Sequence, residues 1–160
     1  MSAFLTLRTP MLDRECLIEA IEATGLRRAD IEVHARARAL TGYQSGMQAE
    51  IVLRKQVTGD RYNDVGFRRT PTGYVAILSD DHPRFGRAWL ADVQVAYDAA
   101  WTRKQARLAE AERQRLEEER RQLVEAQRVA IHAKAKAMGY RVKETRVGET
   151  VRLALVRRTY

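Results

Sequence analysis

The residues best suited to chemistry are a short acidic cluster and a scatter of arginines. Asp80-Asp81-His82 puts two carboxylates beside an imidazole, a set that could hold a divalent cation or move a proton, and Asp64 is a further carboxylate open to general acid–base use. Pro83 follows directly, and a long helical run begins a few residues later. A polar group in that place also serves as a helix-entry cap, and the cap is the expected role. His34, His82 and His132 lie far apart and lack ligand spacing, so each is expected at the surface or as a cap. Cys16 falls on the apolar side of a helix and reads as a small buried hydrophobe rather than a nucleophile. There is no phosphate-cradling glycine loop, nucleophile elbow or paired-cysteine motif. No catalytic, cofactor-binding or metal-binding residue is therefore assigned, no cofactor is expected, and the residues point away from an enzyme.

The arginines are more suggestive. Arg36, Arg38, Arg54 and Arg68 fall on strands in the middle of the chain, and Arg141, Lys143, Arg152, Arg157 and Arg158 crowd its end. If they converge they form a basic sheet face suited to an acidic protein or to phosphate backbones. RNA-reading sheets interleave exposed aromatics, for which Tyr43, Tyr62 and Tyr74 are the candidates. The formal net charge of +8 agrees with either partner. Three leucines, Leu108, Leu116 and Leu123, form a second candidate surface within a charged helix.

The elements that must position these groups follow from periodicity. Ala3 to Leu7 alternates and is stopped by Pro10, giving a first strand. Asp13 can cap a helix over 13–24 whose apolar residues Cys16, Leu17, Ala20 and Ile21 share one face, and Gly25 can close it. From Ile31 the period becomes two: Ile31, Val33, Ala35, Ala37 and Ala39 are expected to point inward. Further strands follow around Ala49–Leu53, Asn63–Arg68 and Tyr74–Leu78, separated by glycine-containing turns, so the middle of the chain is an antiparallel meander.

Arg87 to Met138 contains neither glycine nor proline and reads as helix. Its first part carries Trp89, Val93, Ala96, Tyr97 and Ala100 on a core face. Between Arg103 and Arg128 it holds eight basic and six acidic residues, so most of the positive excess lies outside this segment. It is either one long helix or a helical hairpin turning near Gln114 to Glu119. Leu116, Leu123, Ala130 and Ala137 keep a seven-residue spacing, with glutamate and alanine in the complementary seam. Gly139 ends the helix, and 139–160 reads as a β-hairpin with Val151, Leu153 and Leu155 on its apolar side. The expected fold class is α+β: an antiparallel β meander with a packed N-terminal helix, a long charged helix or helical hairpin, and a C-terminal β-hairpin. The expected divisions are a core over 1–86, the helix over 87–138 with a charged insertion at about 101–126, and the hairpin over 139–160, which completes a sheet in the same chain or in a partner chain. An extended helix favours strand exchange and hence a homo-oligomer.

Several segments also carry a family resemblance. Ser2-Ala-Phe-Leu-Thr-Leu-Arg-Thr9, Ala49-Glu-Ile-Val-Leu-Arg54, Asp64-Val-Gly-Phe-Arg68, Ala137-Met-Gly-Tyr-Arg-Val142 and Val151-Arg-Leu-Ala-Leu-Val156 occur in the order found in one family. The chain resembles the uncharacterised bacterial and plastid domain-of-unknown-function family that includes the chloroplast hypothetical reading frame thirty-five protein. The resemblance implies an accessory or adaptor role beside AAA-type ATPases, since relatives are often encoded near them. Ala3 stands where relatives often have histidine, and Trp101 to Ala126 looks like an insertion in a shorter helix.

A single cysteine allows no internal disulfide, the first ten residues do not resemble a secretory signal, and no run approaches the about 20 apolar residues needed to cross a bilayer. A cytoplasmic protein without membrane insertion is expected. The expected function is that of a non-enzymatic interaction or adaptor protein, an accessory subunit of an AAA-type ATPase assembly, with a protein partner. The alternative is a basic nucleic-acid-binding protein.

Overall fold

Period-two alternation in the first half of the chain produces strands that pair in one antiparallel sheet, and the glycine-free run after them produces one helix. The computed structural model describes residues 3–43, 46–148 and 150–157. Its elements are β1 (Phe4–Arg8), α1 (Arg14–Ala23), a 3-10 turn at Arg28–Asp30, β2 (Glu32–Ala39), β3 (Gln48–Leu53), α2 (Lys55–Thr58), β4 (Val65–Thr70), β5 (Gly73–Ser79), α3 (Arg87–Ala137), β6 (Tyr140–Val147) and β7 (Thr150–Arg157). The fold is α+β, as expected. Contacts divide the chain into two units, Met1–Ala106 and Arg107–Tyr160, and α3 contributes to both.

The first unit is a five-stranded sheet in the order β1-β5-β4-β3-β2, every neighbouring pair antiparallel. One face carries Ile51, Leu53, Phe67, Ala76 and Leu78, packed against Leu17 and Ile21 of α1 and against Trp89, Val93 and Tyr97 of α3. Asp13 caps α1 by accepting from the Cys16 amide at 2.9 Å. Gly25, with φ of +99°, turns the chain out of that helix in a conformation that L side chains rarely adopt. The first part of α3 runs antiparallel to α1 and is tied to both ends of that shorter helix. Tyr97 Oη accepts from the amides of Leu12 (3.0 Å) and Asp13 (2.9 Å), and Trp89 Nε1 donates to Thr24 Oγ1 at 3.0 Å.

The opposite face of the sheet is also covered. Phe4, Ala49, Val52 and Ile77 make a second cluster closed by Leu40, whose amide donates to Met47 O across the β2–β3 connection. A side chain at Gly66 would meet Ala49 Cβ at 2.7 Å and Leu40 at 2.9 Å, so a backbone hydrogen there allows the connection to lie on the sheet. This second layer explains why every residue of β5 is buried although an ordinary meander strand would show one face to water.

The alternation expected along β2 does not hold throughout. Ala35 and Ala39 are exposed, while Val33 packs against the main core. The pairing with β3 shifts between Val33 and Arg38, which breaks the two-residue period that the sequence carries.

The second unit is built from α3 beyond Ala106 and from β6 and β7, which pair only with each other among the described strands, from Tyr140↔Arg157 to Val147↔Thr150. Alternation places Tyr140, Val142, Val151 and Leu153 half-buried on one side of the hairpin. Glu144 shares that side and reaches back to Arg128 Nε at 2.7 Å and to His132 Nε2, while Ala135 is buried nearby in the chain. The residues Arg128, His132 and Ala135 therefore mark the edge of α3 that meets the hairpin. The helix itself is unbroken through Gln114–Glu119, and no helical hairpin forms. Ion pairs one turn apart, among them Arg113–Glu110, Arg115–Glu112, Arg121–Glu117 and Arg128–Glu125, support a solvated helix with nothing to interrupt it.

Candidate functional site

Of the groups that could have done acid–base chemistry, Asp64, Asp80 and His82 are committed to structure, and Asp81 is exposed. Asp64 is buried between α2 and β4, and its carboxylate accepts from the amides of Thr41 and Lys55 (both 2.8 Å) and from Arg54 Nη1 (2.9 Å). Arg54 also grips Glu32, with Nε to Oε1 at 2.9 Å and Nη2 to Oε2 at 2.8 Å, and His34 Nε2 lies 3.1 Å from the same carboxylate. The guanidinium holds Glu32 below the usual carboxylate range, and Glu32 in turn raises Arg54. This network fastens the β2–β3 connection and the start of α2 beside β4. Asp80 exchanges hydrogen bonds with Ala3, its Oδ1 accepting from the Ala3 amide at 2.8 Å. His82 Nδ1 accepts from the amides of Arg84 (3.0 Å) and Phe85 (2.9 Å), a cap on the chain entering α3. Among the described residues, no group of three or more His, Cys, Asp or Glu side chains is placed to hold a metal ion. Cys16 is buried, and burial followed by the neighbouring Asp13 pushes its thiol up, away from nucleophilic character.

The basic candidates fall into separate sets. Arg54 is engaged within the Asp64–Glu32 network. Arg68 and Arg8 flank Val75 on the face of the sheet that carries the second cluster, and Arg38, opposite Ala49, lies on that face too. Arg36 is exposed within the stretch where the β2 pairing shifts. In the hairpin, Arg141 pairs with Val156, Lys143 with Ala154 and Arg152 with Thr145, so these three cations share the side opposite Glu144. Arg157 pairs with Tyr140 and belongs to the other side, and Arg158 lies outside the described residues. Of the aromatic candidates, Tyr74 is buried, whereas Tyr43 and Tyr62 are exposed with ring centroids 4.9 Å apart.

The leucine candidates lie on one side of the solvated part of α3, with Glu112 and Glu119 between them. Leu108, Leu116 and Leu123 are 55%, 52% and 60% exposed on the solvated part of α3. Ala126, Ala130, Ala133 and Ala137 continue their line and are exposed as well. At 3.6 residues per turn this line runs along the side of α3 away from Arg128, His132 and Ala135. The hairpin therefore leaves it uncovered.

No family model, curated protein or solved structure matches the chain. No helix among the described residues is long and apolar enough to cross a membrane.

The stripe was visible in the sequence as leucines and alanines at seven-residue spacing. The cations along its edges, Arg120, Lys134 and Lys136, were not singled out; the signal for them was their place beside the repeat rather than their number. The Arg54–Asp64–Glu32 network had no local signal, since it joins residues 10 and 22 apart.

Proposed function

We propose that this chain is a non-enzymatic interaction protein that engages a protein partner through its second unit. The observation that carries this reading is the uncovered stripe of Leu108, Leu116 and Leu123 on an unbroken helix whose opposite side is occupied by the hairpin. The commitment of Asp64, Asp80 and His82 to structural hydrogen bonds supports a binding rather than a catalytic role. An AAA-type ATPase is the partner class favoured by the family resemblance, and a role as its accessory subunit follows from that resemblance. The test is capture from cells at native levels, identification of the retained protein, and reconstitution from purified components. A stoichiometric complex that reforms in vitro and is lost in Leu116→Glu/Leu123→Glu is expected. Failure to reconstitute any complex sensitive to that variant would overturn the proposal. If the partner is an ATPase, its turnover should also change on adding the chain.

A second reading, nucleic-acid binding, is favoured by Arg141, Lys143 and Arg152 on one side of the hairpin. It requires DNA or RNA affinity that falls steeply with salt and drops when those three residues are neutralised. Absence of binding at low salt removes it.

A further inference from the structure

Reading α3 as a seven-residue repeat from Leu116 gives Leu116, Leu123, Ala130 and Ala137 at one set of inner positions and Glu119, Ala126 and Ala133 at the other, all exposed. The alanines let a second helix approach closely, while Leu116 and Leu123 supply bulk to bury. The positions bordering this stripe are Arg115, Gln122, Val129 and Lys136 along one edge and Arg113, Arg120, Gln127 and Lys134 along the other. Neither edge has a carboxylate. Glu110, Glu117, Glu118 and Glu125 lie away from the stripe, while Glu112 and Glu119 stand in its inner row and both pair with Arg115, which offsets their charge. Arg120, Lys134 and Lys136 make no ion pair among the described residues, so their charge faces outward beside the apolar line.

From this arrangement we infer that the stripe between Ala109 and Ala137, with Leu108 at its edge, receives an amphipathic helix of another protein, one whose flanking positions are acidic. The inference rests on the interaction reading above and specifies the chemistry of the partner. Charge complementarity selects it over a second copy of this chain, because self-pairing in either direction sets basic edge against basic edge. It also disfavours a lipid surface, since Glu112 and Glu119 lie along the apolar face that would have to enter the bilayer.

The experiment uses the full chain and a fluorescent synthetic peptide of about four heptads with leucine at the inner positions and glutamate at both edges. A counterpart carries lysine at the edges. The chains compared are the natural one, Leu116→Glu/Leu123→Glu, and Arg120→Glu/Lys134→Glu, all at exposed positions, with helicity checked by circular dichroism. The acidic-edged peptide should bind the natural chain, and each variant should weaken it by about tenfold or more. The charge-reversed variant should also lose the natural chain's preference for the acidic peptide over the lysine-edged one. The inference is overturned if the natural chain ignores the acidic peptide, takes both peptides equally, or is unaffected by the substitutions. It is also overturned if sedimentation shows a dimer dispersed by Leu116→Glu/Leu123→Glu, or if mixed phosphatidylcholine–phosphatidylserine vesicles compete the peptide away. A partner reconstituted as described above, together with failure of the acidic peptide, sinks this inference alone. A bound peptide with no reconstituted cellular partner sinks the functional reading alone.

Discussion

At the scale of single residues, Asp64 illustrates how a carboxylate that could have been catalytic becomes structural. Three donors converge on it, two of them main-chain amides, and its side chain is only 1% exposed. Asp64→Ala leaves those donors and the Arg54 charge without their acceptor, and a loss of about 3–5 kcal/mol is expected in urea denaturation. A change below 1 kcal/mol would show that water replaces the carboxylate freely. The titration of neighbouring acids gives a second expectation. Burial raises the Asp13 carboxyl, but Lys104 at 2.7 Å and the Cys16 amide outweigh it and hold the group below its ordinary 3.8. Arg54 holds Glu32 below 4.5. Both acids bind protons less readily folded than unfolded, so their contribution is complete above those values and is lost as pH falls through the lowered ones. Melting temperature should therefore drop as pH falls below about 4.5, with a shallower drop in Asp13→Asn and Glu32→Gln. Equal slopes in all three proteins would remove these two groups as the cause.

At the scale of elements, α1 and the solvated part of α3 make opposite uses of leucine. Leu17 is wholly buried between α1 and the sheet, whereas Leu116 and Leu123 are solvated. Leu17→Ala should cost about 2–5 kcal/mol, while Leu116→Ala should stay within about 0.5 kcal/mol in the isolated chain. Chemical denaturation of the two variants checks this contrast. A large loss for Leu116→Ala would mean that the stripe is already covered in solution, and would count against its use as a free surface. The same contrast was legible in the sequence in outline: the large apolar residues of the helix thin out after Trp101. What could not be read was the second apolar cluster on the sheet, because Phe4, Leu40, Val52 and Ile77 come from distant segments that share no period. The shift in β2 was likewise hidden, since the alternation from Val33 to Ala39 looks regular until the pairing with β3 is known.

At the scale of the molecule, both apolar clusters are drawn from residues before Ala106, and among the described residues Ala135 is the only buried one in the second unit. A chain ending at Ala106 should fold with one cooperative thermal transition, because Trp89, Val93, Tyr97 and Ala100 remain to close the main core. Loss of cooperative melting in calorimetry would show that the second unit supplies essential stability. Local chemistry in the sequence was sufficient to determine the α+β class, the capped first helix, the helical character of 87–138 and the closing hairpin, since each depends on periodicity, caps and the absence of breakers within a few residues; that the helix runs on through Gln114–Glu119 instead of turning back was decided by the structure. Only the tertiary structure decided that Asp64 and Arg54 are fasteners, that the sheet is covered on both faces, and that Arg157 is separated from Arg141, Lys143 and Arg152. Those outcomes depend on strand register and on contacts between distant segments, and a local pattern of residue types does not encode the register that brings them together.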